Sequence, residues 1–153
     1  MAALARIAAL TLGLAACGPA SDAEPAAIDP GRLPGTSWVV THVGDRPVSH
    51  EAGTCRVTLT FGKDRSFGGQ GPINNYGANY RVRDSLIVAD GISQNLMGAT
   101  DPEITARERD MFAALTRPFR LQPTPTGALL VDAAGRPGLR LRTSSGEDCA
   151  HAR

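Results

Sequence analysis

Cys55-Arg56-Val57-Thr58-Leu59-Thr60-Phe61, with Gly62-Lys63-Asp64-Arg65 and Ser66-Phe67-Gly68 after it, carries the clearest structural signal in this chain. Polar and apolar residues alternate strictly through Phe61, so Val57, Leu59 and Phe61 share one buried face of a strand. Gly62 and three charged residues make a tight turn, and Ser66 begins the return strand. The same kind of signal recurs on both sides. Upstream, residues 36–43 are rich in β-branched side chains and read as a strand, with Gly44-Asp45-Arg46-Pro47 as the turn that follows. Downstream comes a glycine- and asparagine-rich loop at 69–77. Extended residues 79–82, a turn at Arg83-Asp84, a strand at 85–89 and one more strand within 92–97 follow it.

A single helix interrupts this series. Thr100 or Asp101 can cap it, Pro102 suits its first position, and Arg117-Pro118 ends it. Ile104, Met111, Phe112 and Leu115 fall on one face at helical spacing. Short strands at 119–122, 128–132 and 139–142 complete the pattern, separated by Pro123-Thr124-Pro125 and by residues 134–138. Many short strands with one inserted helix predict an α+β, mostly β fold. Its antiparallel sheet curls into a partial barrel, and a helix at about 101–116 packs on it. With aromatics at 5% of the chain, Val, Leu and Ile are expected to supply the core.

The N-terminus has a different character. Arg6 precedes the short apolar run Ile7–Leu14, which is too short to span a bilayer and has the anatomy of a secretory signal. Leu14-Ala15-Ala16-Cys17 resembles a bacterial lipobox, in which the cysteine is lipidated and becomes the mature N-terminus. The alternative is a plain signal peptide with a cysteine near its cut. With Gly18 rather than Asp after the cysteine, the resemblance implies the outer membrane. The expected organisation is a signal peptide at 1–16, a lipidated flexible tether at 17–32, a domain at 33–143 and a tail at 144–153. Several acyl chains, each buried methylene worth roughly 0.8 kcal/mol, would hold such a protein firmly to the bilayer.

Loss of Arg6 with the signal peptide brings the formal charge from +1 to zero, which offers no electrostatic footprint for nucleic acid. Once Cys17 is committed to lipid, Cys55 and Cys149 remain. In an oxidising compartment they are expected to form a disulfide, closing a loop of about 95 residues worth roughly 4–5 kcal/mol in the chain-entropy model. A free Cys149 on a frayed tail is the alternative. No CxxC or HxxxH spacing is present, so no metal site is expected.

Three stretches match one known family in order. Leu33-Pro34-Gly35-Thr36-Ser37-Trp38 resembles an L-x-G-T-x-W opening. Residues 71–80, GPINNYGANY, are similar to a G-P-C-N-x-Y-x-G-x-Y loop. Leu96-Met97-Gly98-Ala99 and residues 108–115 are similar to a T-x-M-A-C segment and an E-x-x-F-x-x-L helix. These are the marks of the META domain family, which includes the HslJ-type heat-shock lipoproteins. The resemblance implies a small α+β domain in the bacterial envelope, linked to heat shock, drug resistance, motility and virulence, with no common enzymatic reaction. Both cysteines of the family pattern are absent, replaced by Ile73 and Ala99. If these lie close in space, apolar packing could stand in for the pair. Asn79 stands where the family often has glycine, a residue type that tolerates left-handed backbone.

Catalytic patterns are absent. There is no GxSxG, and His42, His50 and His151 are scattered. No GK[ST] follows Gly68-Gly69-Gln70-Gly71, whose glycines are expected to serve a bulge or a tight loop. One constellation is suggestive: Glu108 lies on the apolar helix face, four residues from both Ile104 and Phe112, and a buried carboxylate must find partners. A polar cluster of Glu108 with Asn74, Asn75, Tyr76 and Tyr80 is the candidate site. Read structurally, Glu108 caps loop amides or pairs with an arginine. Read functionally, it lines a recognition pocket or takes part in catalysis.

The expected function is that of a non-enzymatic, monomeric outer-membrane lipoprotein without a cofactor. It would bind a periplasmic protein or peptide partner and support envelope integrity under stress. An exposed strand edge or the 69–79 loop would be the surface. The alternatives are an inhibitor of a secreted or periplasmic hydrolase, such as a peptidase or lysozyme, and a small-molecule carrier.

Overall fold

The computed structural model describes residues 25–48, 56–99 and 101–145. Cys17, Cys55 and Cys149, and with them the expected lipidation and disulfide, lie outside these residues, as do Thr100, His50 and His151. Among the described residues the chain forms ten strands and one α-helix. The strands are β1 (Ser37–Val43), β2 (Arg46–Pro47), β3 (Thr58–Phe61), β4 (Ser66–Gln70), β5 (Asn75–Arg83), β6 (Leu86–Ala89), β7 (Ser93–Gln94), β8 (Phe119–Thr124), β9 (Gly127–Asp132) and β10 (Pro137–Thr143). The helix, α1, spans Pro102–Thr116.

All pairings are antiparallel. The ladder β1-β3-β4-β5-β6-β8-β9-β10 returns to β1 through a long pairing of β10 with β1, so the sheet is a closed barrel of eight strands. The expected curl therefore goes to completion, and closure removes sheet edges along most of the wall. Short β2 and β7 are appendages, one on β1 and one on β5. The pairing of β6 with β8 is a single bridge, Ile87 with Phe119. Beside it the Ile28 N–H donates to the Leu121 carbonyl at 2.7 Å, and Leu33 is buried, so the folded wall reaches back ahead of Leu33. A register shift between Val40 and His42 bulges β1 and lets Val40 and Val43 both face the core.

The hairpin at 58–70 follows the alternation closely. Leu59, Phe61 and Phe67 are buried with Val57, and their neighbours face outward. Each fully buried side chain of this size contributes about 1.5–3 kcal/mol. The core differs from expectation in its aromatic content. Trp38, Phe61, Phe67, Tyr76, Tyr80 and Phe119 are all buried, and Phe61, Phe67, Tyr80 and Phe119 form a tilted and edge-on cluster with neighbouring centroids near 6 Å. A barrel interior needs few residues, and here the scarce rings are concentrated in it.

Several boundaries move. Gly69 and Gln70 extend β4 and Asn75 begins β5, which shrinks the expected 69–77 loop to residues 71–74. Gly68 serves close approach rather than a loop: a Cβ there would come within 2.6 Å of the Tyr76 carbonyl oxygen on β5. The next turn is Asp84-Ser85, both left-handed with φ of 48° and 63°, so β6 begins at Leu86. Strand pairing within 92–97 is limited to Ser93 and Gln94. Pro123 lies inside β8 rather than ending it.

Helix α1 starts where Asp101 caps it, its carboxylate accepting the Glu103 N–H at 2.7 Å, with Pro102 next. It ends at Arg117, held extended before Pro118. Met111 and Leu115 are buried in the core, Phe112 packs on it and Ile104 is half-buried. The helix lies across the barrel end where β4 finishes and β5 and β10 begin. Gly138 of β10 is required there, because a Cβ would come within 2.9 Å of that of Ala114.

Candidate functional site

The third buried residue of α1 is Glu108, whose side chain meets the 71–74 loop. One oxygen, Oε2, accepts the backbone N–H groups of Ile73 at 2.8 Å and Asn74 at 2.7 Å. The other, Oε1, accepts from the Asn74 side-chain Nδ2 at 2.6 Å. Of the two structural alternatives, loop capping is the one realised. The loop can fold this tightly because residue 71 is glycine: its N–H donates to the Asn74 carbonyl at 2.7 Å, and a Cβ would lie 2.8 Å from that oxygen and 3.1 Å from Oε2.

Asn74 passes the connection on. Its Oδ1 accepts the Met97 N–H at 2.7 Å, and its Nδ2 donates to the Met97 carbonyl at 3.1 Å. A side-chain amide thereby pairs with a backbone unit as a neighbouring strand would. Glu108 and Asn74, 6% and 4% exposed, are each satisfied by several partners, as buried polar groups must be. Together they tie helix, loop and the 95–99 segment into one unit.

Tyr80 does not join them. Its ring stands in the aromatic cluster with Phe61 and Phe67, and burial pushes its phenol up, with Arg65 pulling the other way. Tyr76 is also a core residue rather than a surface aromatic: its hydroxyl donates to the Thr58 carbonyl at 2.7 Å and its ring meets Phe112 edge-on at 5.4 Å. Burial pushes its phenol well above the usual range. Asn75 is exposed, and its carbonyl accepts the Asn95 N–H at 3.1 Å. Of the five candidate residues, only Asn74 and Glu108 bond to each other.

The surface beside this unit is apolar. Leu96 is 92% exposed and Met97 61% exposed, and both border a cavity of about 430 Å³ floored by Asn74 and Glu108. Ile73 and Ala99 line the same cavity, so the two positions that replace the family's cysteines lie near one another, with side chains that form no covalent tie. Leu96 and Met97, expected in a strand within 92–97, lie beyond β7 and are exposed. The available signal was two adjacent large apolar residues just before glycine, which cannot both face one side of a strand. Among the described residues, no three His, Cys, Asp or Glu side chains gather as metal ligands, and no helix is long and apolar enough to cross a membrane. His42 is half-buried and bonds its neighbour Thr41 at 3.1 Å.

A family model described as META domain matches residues 31–145, most of the chain. Two solution NMR structures are similar to it. One, of a protein from Burkholderia xenovorans, is 25% identical with a TM-score of 0.59, covering 82% of this chain and 97% of that one. The other is 16% identical with a TM-score of 0.61, covering 76% of this chain and 95% of that one, and the likeness shows the fold alone. No curated protein matches.

Proposed function

This chain belongs to the META domain family of bacterial envelope proteins, and on that premise we propose that it is a non-enzymatic outer-membrane lipoprotein, anchored through Cys17. It binds an extended segment of a periplasmic protein or peptide and so supports the envelope under stress. The observation that carries this reading is the 94–98 segment. The Asn95 N–H bonds the Asn75 carbonyl and Gln94 stands opposite Tyr76, so Gln94 turns its own N–H and C=O groups away from β5. Asn74 fixes both backbone polar groups of Met97 just beyond. Among the described residues no further strand pairs with this edge, and Leu96 and Met97 are exposed along it. An extended peptide adding there gains main-chain hydrogen bonds from the edge and apolar contact from those side chains.

The structural role of Glu108 supports a binding module over an enzyme. Its two oxygens are taken by three N–H donors and serve the loop. That same loop is drawn under the helix rather than projecting, which disfavours insertion into a hydrolase active site.

In-cell crosslinking of the anchored protein, with mass spectrometry of the captured species, tests the reading beside Leu96→Asp and Val82→Asp variants. Val82 is 44% exposed on β5 and serves as the control apolar site. One dominant envelope partner, retained by Val82→Asp and lost by Leu96→Asp, is expected. Equal capture by both variants overturns the assigned surface, and no specific capture by the parent protein overturns partner binding.

A further inference from the structure

Met97 and Met111 are the methionines that follow Met1, and the fold treats them oppositely. Met111 lies on the inner face of α1, fully buried in the barrel core with Leu115. Met97 is 61% exposed and stands beside the still more exposed Leu96. The chain stays open past it, since a Cβ at Gly98 would meet nothing within 4 Å. Met97 also borders the cavity of about 430 Å³, which has room for a small oxidant and for one added oxygen. A thioether in such a place is open to oxidation, whereas a buried one is shielded.

Met97 is also held where it is. The Asn74 side-chain amide bonds its N–H at 2.7 Å and its C=O at 3.1 Å, and Asn74 is fixed in turn by Glu108. The backbone is therefore anchored to the fold while the side chain stays outside it. A polar atom added to this sulfur leaves the core undisturbed; the same atom on Met111 would enter the core without a partner.

We propose that Met97 is a reversible oxidation site at which a peroxide switches the apolar edge off. The sulfur lone pair attacks one oxygen of hydrogen peroxide and the O–O bond breaks. The transferred oxygen gives its proton to the departing hydroxide, which leaves as water. Sulfur is oxidised by two electrons to the sulfoxide, and the peroxide is reduced. A thiol-dependent sulfoxide reductase reverses the step: two thiols become a disulfide, and the oxygen leaves as water. The sulfoxide is polar and holds water at an edge that a bound peptide must dry. The loss of binding rests on the reading of this edge as a peptide surface; the selective oxidation does not.

The test treats the full-length protein with hydrogen peroxide and follows both methionines by peptide mapping in mass spectrometry. In the folded protein Met97 is expected to gain one oxygen at least about tenfold faster than Met111, and in urea the two rates are expected to converge. The urea midpoint is expected to stay within error after Met97 is oxidised. Equal rates in the folded protein, or a lowered midpoint, overturn the proposal. In the crosslinking assay, the ratio of capture after peroxide to capture before it is expected to fall on the order of tenfold in the parent and to recover with a methionine sulfoxide reductase. In Met97→Leu that ratio is expected to stay close to unity, whatever the variant's starting level. The same fall in Met97→Leu, or no fall in the parent, overturns the switch. If the untreated parent captures nothing, the binding reading falls by itself, and the mapping still decides whether Met97 is the oxidation site.

Discussion

Glu108 and Asn74, 34 residues apart in sequence, are joined twice: through the Asn74 backbone N–H at 2.7 Å and through its side-chain amide at 2.6 Å. The same amide holds both polar groups of Met97. A carboxylate on a helix is thus linked, through Asn74, to a segment it does not itself touch by hydrogen bond.

Glu108→Gln replaces one acceptor oxygen by a donor in a place that already holds three donors. It is expected to destabilise the fold by about 2–4 kcal/mol, measured by urea denaturation. A change below the error of the measurement removes Glu108 from its structural role.

Asn74→Ala leaves the barrel intact but frees Met97. Stability is expected to fall by about 1–3 kcal/mol. Hydrogen exchange at the Met97 amide is expected to accelerate far more than at Leu59 in the core. Uniform acceleration at both sites shows that Asn74 acts on the whole barrel instead.

Gly71→Ala places a Cβ against the Asn74 carbonyl and the Glu108 carboxylate. The loop must open, and a loss of about 1–3 kcal/mol in urea denaturation is expected, reduced but not abolished in a Glu108→Gln background, because the closer contact with the Asn74 carbonyl remains while the loop is already loosened. Simple additivity of the two variants contradicts a shared contact.

Alkaline pH acts through Tyr76 and Tyr80. Burial raises both phenols, so the folded chain holds these protons more tightly than the unfolded chain, whose tyrosines titrate near about 10. Their contribution is complete below that pH and is lost as pH rises past it. The melting temperature is expected to fall above about pH 10. The fall is shallower in Tyr76→Phe, which also loses about 1 kcal/mol at neutral pH with its bond to Thr58. An identical alkaline slope in the variant removes Tyr76 from this effect.

The alternation Val57-Leu59-Phe61, the turn after it, the Asp101 cap, Pro102 and the stop at Pro118 were all readable in the sequence, because each acts within a few residues through side-chain direction, capping or a fixed φ. So was the partnerless carboxylate on the helix face. Its partners were only half readable: Asn74 could be named, while Tyr80, equally polar on paper, turns inward because β5 pairing with β4 and β6 sets its face.

Local chemistry alone therefore determined the elements, their order and the need to satisfy Glu108. Tertiary structure decided what depends on distant segments meeting. β10 pairs with β1 across roughly the length of the domain, and that ladder turns a curled sheet into a barrel. Closure sends Tyr76 to the core and leaves Leu96 and Met97 exposed outside it. The free energy of those choices comes from non-local burial and pairing, won against loop-closure entropy, and no window of sequence contains both sides of such a contact.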